Sequence, residues 1–228
     1  MPSLHLASSK QPRLVLENVF AFPPNRETLG ATAYLIVENF ANILIDCPAW
    51  DENTQAFLTE RGGVDCLFLT HRGSMGKVAQ VQADTGCEII VQEQEAYLLP
   101  ESEVAVFGTE VELAGNCWGF WTPGHSPGSS CFYYRGSGEG SEGVLFTGRH
   151  LLPDLQGHPA PLRTAKTFHW RRQLGSVRAI LDRFSPQTLH LICPGANTGL
   201  LRGKRAIASA YDLLLQLDLD ACGLAPLL

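Results

Sequence analysis

Charge is scarce in this chain. Of 228 residues only 18% are charged, against roughly a quarter in ordinary soluble domains, while 45% are hydrophobic. Much of the chain is therefore expected inside a packed core that needs no disulfide staples. An excess of basic residues is also missing: 17 Lys+Arg against 23 Asp+Glu leave a formal charge of −6. That balance offers no general attraction to nucleic acid or anionic lipid, so neither nucleic acid nor membrane is expected as a partner. No run approaches the roughly twenty apolar residues of a membrane span. Met1–Gln11 is polar and lacks the apolar stretch of a secretory signal, and the expected location is the cytoplasm. Cys47, Cys66, Cys87, Cys117, Cys131, Cys193 and Cys222 are odd in number, widely spaced and without a C-x-x-C pair. That spacing argues against a disulfide framework or zinc ribbon and favours reduced, buried thiols.

What is present is a regular succession of short apolar runs. Alternation in Arg13–Phe22, then Ala31–Val37 and Asn42–Cys47 parted by Glu38–Asn39, predicts three strands, the last two a hairpin. Asn53–Arg61 has helical spacing and stops at Gly62–Gly63. Cys66–Thr70 reads as a buried strand, Lys77–Thr85 as a helix closed by Gly86, and Glu88–Gln92 as a further strand. The second half opens with Glu110–Leu113, Trp118–Thr122, Ser130–Tyr134 and Gly143–Thr147, an antiparallel meander with Gly-rich turns such as Gly136–Gly143. Leu151–Lys166 lacks periodicity and reads as an ordered loop. Phe168–Phe184 predicts a helix with Leu174, Val177, Ile180 and Leu181 on its apolar face, Thr188–Cys193 a strand, and Lys204–Leu217 a last helix. Strands first and helices after, twice over, predict an α/β chain folded as a four-layer αββα sandwich: one domain over residues 13–218, with tails at 1–12 and 219–228. The apolar Ala221–Leu228 is expected to dock on the body or on a second subunit.

Function gathers where strand ends meet Gly-rich loops. Asp46, His71, His125, Arg149–His150 and Pro194–Asn197 all follow predicted strands and would share one rim. In Thr122-Pro-Gly-His-Ser-Pro-Gly-Ser129 two Pro and two Gly surround one His. A loop so stiff fixes the imidazole in one direction, as a metal ligand or a catalytic base requires.

The order Leu44-Ile-Asp46, Leu69-Thr-His71, Thr122-Pro-Gly-His-Ser-Pro-Gly128, Leu145-Phe-Thr-Gly148 and Pro194-Gly195 resembles the metallo-β-lactamase superfamily of metallohydrolases, nearest its glyoxalase II-like members. The resemblance spans roughly residues 13 to 215. It implies the αββα sandwich with an active site on one edge and seven metal-ligand positions. The H-x-H-x-D-H motif would begin at His71, but the chain reads His71-Arg-Gly73-Ser-Met75-Gly76. His125 matches the next ligand, Arg149 stands where the Asp bridging two metals would be, and Ala196 stands for the final His. Two ligand positions remain, His71 and His125.

A catalytic zinc uses about three protein ligands and an open position, and two imidazoles fall short. Arg149 would set a permanent cation where the family holds two dications, and its expected partner is Asp46. His150 and Cys193 are the available replacements. Neighbouring side chains on a strand point to opposite faces, so His150 faces away if Arg149 faces in. No cofactor is expected, with zinc or iron at low occupancy as the alternative.

Arg163-Thr-Ala-Lys166-Thr-Phe-His169-Trp-Arg171-Arg172 is a basic cluster in an acidic chain. It is either a solvated helix face or, with Thr164 or Thr167 as the helix cap, part of an anion pocket. Arg163, Lys166 and His169 would then join Arg149 and Asp46, with Lys77 on the opposite wall. Tyr133, Tyr134, Trp118 and Trp121 fall at core-like spacing. The leading expectation is a metallo-β-lactamase-fold protein, its dinuclear centre largely lost, that binds a small anionic metabolite or a protein partner. The alternative is a hydrolase of thioesters, lactones or phosphoesters with a rebuilt single-metal site at His71 and His125.

Overall fold

The computed structural model describes residues 11–113, 117–136, 138 and 140–224. Most of the predicted 1–12 tail, part of the Gly136–Gly143 turn and the last four residues lie outside the described set. The elements run β1 (Arg13–Leu16), β2 (Val19–Ala21), β3 (Tyr34–Val37), β4 (Asn42–Ile45), α1 (Glu52–Thr59), β5 (Cys66–Phe68), α2 (Val78–Thr85), β6 (Glu88–Gln92), α3 (Glu93–Ala96) and β7 (Val104–Phe107). There follow β8 (Glu110–Glu112), β9 (Cys117–Trp121), β10 (Ser130–Arg135), β11 (Gly143–Gly148), β12 (Leu152–Pro153), β13 (Pro159–Ala160), α4 (Trp170–Arg183), β14 (Leu191–Pro194), β15 (Ile207–Ala208), α5 (Ala210–Leu215) and α6 (Leu219–Gly223).

Strands β1 to β7 form one sheet in sequence order, and the second sheet runs β15-β14-β11-β10-β9-β8. Alternation along each strand divides the core into three. Leu35, Leu44, Leu67 and Ile89 pack outward against Phe57 and Leu58 of α1 and Val81 of α2. Their neighbours Tyr34, Ile36, Ile43, Ile45, Phe68 and Ile90 point the other way and meet Phe132, Tyr134, Val144 and Phe146 of the second sheet. Phe120, Cys131, Tyr133 and Leu145 leave the far face of that sheet for Val177 and Ile180 of α4 and Leu214 of α5. Two sheets face to face with helices outside follow directly from this period of two. Six of the seven cysteines are buried and all are free thiols, with burial pushing Cys131 up to about 12.

Several elements differ from the sequence expectation. Arg13–Phe22 is a hairpin, since Leu14 pairs with Phe20 and Leu16 with Val19. The edge strand β7 had no predicted counterpart; its exposed Val106 hides the alternation. Lys204–Leu217 is not one helix, because Ile207 pairs with Ile192 and only then does α5 begin. Residues of α6 pack on α4, where the Trp170 indole donates to the Cys222 carbonyl at 3.0 Å. No helix among the described residues is long and apolar enough to cross a membrane.

Candidate functional site

Asp46 closes β4 in a left-handed turn, φ +62°, and turns its carboxylate into the protein. Thr70 donates to it twice, from its backbone N–H and from its hydroxyl, each at 2.7 Å. The same Thr70 oxygen lies 3.0 Å from His71 Nδ1. Since the single hydroxyl proton goes to Asp46, Nδ1 must be the donor in the second contact, and His71 Nε2 carries the lone pair. Nε2 is buried and has no partner among the described residues. The backbone of His71 is held by the 3-10 turn Arg72–Ser74, whose Ser74 hydroxyl donates to the His71 carbonyl at 2.7 Å.

The His125 loop is pinned at both ends. Thr122 donates to Ser129 O at 2.8 Å, the Trp121 indole to Pro127 O at 2.8 Å, and the N–H groups of Phe168 and His169 to the carbonyls of His125 and Gly124 at 3.0 and 2.9 Å. Gly124, φ +149°, rests on α4 so closely that a Cβ would lie 2.3 Å from Gln173 Cα. The loop so held brings the His125 ring edge-on to His71, with centroids 5.0 Å apart.

Arg149 follows β11, whose Gly148 sits backbone to backbone with Gly195 of the β14 end; a Cβ on Gly195 would lie 2.7 Å from Gly148 Cα. The guanidinium lines the same cavity as His71 and His125, about 360 Å³ in volume. It donates to the carbonyls of Leu29 and Thr28 at 2.8 and 3.3 Å and makes no ion pair with Asp46, contrary to expectation. The carboxylate's oxygens are already committed to Thr70. Lys166 also lines the cavity, as do Arg72 and the apolar Leu29, Leu152 and Leu162. Arg72 escaped the sequence reading because nothing distinguishes it from a surface charge. Its Nε meets the buried carboxylate of Glu95 at 3.1 Å, which holds it at the wall.

The remaining candidates lie elsewhere. Lys77 pairs with Glu27 at 3.3 Å, outside the cavity. Arg163 and His169 border a separate open depression with Trp170 and Arg171. His169, rather than Thr164 or Thr167, caps α4, its Nδ1 accepting from Arg172 N at 3.2 Å. Thr167 instead closes a turn on Thr164 N at 2.9 Å. His150 is buried away from the cavity with both ring nitrogens unpartnered among the described residues, and its carbonyl accepts from Gln173. Cys193 lies in the core between the sheets.

Electrostatics follow from burial and from the three cations. Burial, then His125, Arg149 and Arg72, holds His71 well below the usual imidazole range. Burial, then Arg149, Arg72 and Lys166, brings His125 down to about 4. Both rings are neutral at pH 7. Burial pushes Asp46 up to about 6 against the opposing hydrogen bonds from Thr70 and the charge of Arg149. Among the described residues no three His, Cys, Asp or Glu side chains are arranged to hold a metal ion. The donors present, two imidazoles beside a guanidinium, do not fit a catalytic zinc, which takes about three protein ligands.

No family model matches the sequence, and no curated protein matches it at the sequence level. Solved structures do match. Metallo-beta-lactamase MIM-1 from Novosphingobium pentaromativorans is 18% identical with a TM-score of 0.64 over 93% of this chain and 87% of its own. A metallo-beta-lactamase family protein from Thermus thermophilus is 18% identical with a TM-score of 0.63 over 92% and 81%. An archaeal metallo-beta-lactamase superfamily protein from Sulfolobus tokodaii gives 13% and 0.58 over 88% and 84%. At such identities the likeness is one of architecture, and the chain has the metallo-beta-lactamase fold.

Proposed function

We propose that this chain is a metal-independent binding protein built on a metallohydrolase fold, and that its cavity takes a small organic anion. One observation carries the reading: Arg149 occupies the same cavity as the two imidazoles at His71 and His125. A cation there opposes a dication and attracts an anion. Lys166 adds a second charge. Of the three cations on the wall, Arg72 is balanced by Glu95, Arg149 donates only to neutral carbonyls, and Lys166 has no ion-pair partner among the described residues. Leu29, Leu152 and Leu162 supply an apolar wall, so a carboxylate on a short hydrocarbon tail suits the site better than a bare inorganic ion.

The second reading, a thioester, lactone or phosphoester hydrolase of the glyoxalase II type, draws on the neutral, converging His71 and His125, which would have to hold a single metal. Elemental analysis of protein purified without chelator, joined to calorimetric titration with 4-methylpentanoate, separates the two. The binding reading expects well under one metal per chain and saturable binding that Arg149→Gln weakens by about tenfold or more, in line with loss of a charge-assisted contact. About one zinc, iron or manganese per chain, with esterase activity lost in His125→Ala, contradicts it.

A further inference from the structure

The anion-binding reading leaves one atom unused. His71 Nε2 is a hydrogen-bond acceptor, fixed as such by the proton order from His71 Nδ1–H to Thr70 and from the Thr70 hydroxyl to Asp46. It is buried without a partner among the described residues, in a ring that lines the cavity. Gly73, also on that wall, stands beside it: a Cβ at position 73 would come 3.1 Å from Nε2. Any side chain there would crowd Nε2, a contact that glycine avoids. A buried acceptor is favoured only when a donor reaches it, and none of the described residues supplies one.

We infer that the ligand is a 2-hydroxycarboxylate with an apolar tail, its hydroxyl donating to His71 Nε2 alongside Gly73 while Arg149 and Lys166 hold its carboxylate. The inference rests on the anion-binding reading and adds the donor to it. The partly exposed His125 ring stands edge-on over His71, so the hydroxyl reaches Nε2 only if that ring turns aside within its pinned loop. A site built to pair a ligand hydroxyl discriminates against the analogue lacking it, because the unpaired partner stays buried.

The test compares 2-hydroxy-4-methylpentanoate with 4-methylpentanoate by calorimetry, with imidazole 15N spectra recorded alongside. Wild type should bind the hydroxy acid about tenfold more tightly, the equivalent of about 1.4 kcal/mol. The Nε2 resonance of His71, assigned by its absence in His71→Phe, should move with the hydroxy acid and not with the plain acid. In Gly73→Ala, which keeps the histidine, the ratio of the two affinities should fall toward one. Arg149→Gln should weaken both acids alike. Equal affinities in wild type, or a preference that survives Gly73→Ala, overturn the inference while the anion-binding reading stands. Failure of both acids to bind wild type overturns the reading and the inference together.

Discussion

Beneath the cavity, whose wall only His71 of the three reaches, Asp46, Thr70 and His71 form a floor: all are at most 2% exposed and are joined in one hydrogen-bonded line. At its rim Arg149, Arg72 and Lys166 are partly or well exposed and reach in from three different loops. The floor is costly to disturb because its polar groups have no water to fall back on. The rim is cheap to change, since exposed cations contribute little to folding. If the two regions divide the work in this way, stability resides in the floor and affinity in the rim.

The largest loss of stability is expected at Asp46. Asp46→Ala strands the Thr70 N–H and hydroxyl inside the protein and should cost about 2–4 kcal/mol in urea unfolding, from two unsatisfied buried donors. Asp46→Asn, which tolerates the left-handed turn, should cost less. Arg149→Gln, by contrast, should leave unfolding within about 0.5 kcal/mol of wild type while lowering affinity for the anion. An Arg149→Gln variant as unstable as Asp46→Ala would show that the rim also holds the fold.

Acid should then act on the buried groups before it acts on the rim. His125 and His150 titrate at about 4 and about 3 in the folded chain, below the ordinary 6.5. Their contribution is present above about pH 6.5 and is lost as pH falls toward those values, because the unfolded chain takes up the protons first. Asp46 works in the opposite sense: raised to about 6, it favours folding below its ordinary 3.8 and loses that contribution as pH rises through about 6. Several depressed histidines outweigh one raised carboxyl, so the melting temperature should fall between pH 7 and pH 4.5. A flat or rising profile would mean that the buried imidazoles are solvated.

The smallest effect is expected at His150. Both its ring nitrogens lack partners among the described residues, so His150→Phe removes polar atoms that gain nothing from burial and should be neutral or slightly stabilising at pH 7. It should also flatten part of the acid profile. A loss above about 2 kcal/mol would reveal a bound water or another partner for the ring.

Much of this was legible in the residues and some of it was not. The two-sheet sandwich could be read because Leu35/Ile36, Ile43/Leu44 and Leu67/Phe68 alternate between cores that are both apolar, a signal carried by neighbours in sequence. His71, His125 and Arg149 could be placed on one rim because each follows a strand. The partner of Arg149 could not, since it is a pair of carbonyls at Thr28 and Leu29, some 120 residues away, and carbonyls leave no mark in a sequence. Arg72 was hidden for a similar reason: its anchor, Glu95, is contributed by the short helix α3. The basic stretch at 163–172 looked like one unit, yet the chain turns at Thr164–Thr167 and sends Lys166 to the cavity and His169 to the cap of α4.

The function of the chain turns on whether the cavity binds an organic anion without metal. Calorimetric titration of 4-methylpentanoate into wild-type protein before and after exhaustive chelation tests it most directly, with Arg149→Gln as the control. The account predicts one affinity in both wild-type samples and a loss of about tenfold or more in Arg149→Gln, the scale of one charge-assisted contact. Binding that disappears on chelation and returns with zinc would contradict it.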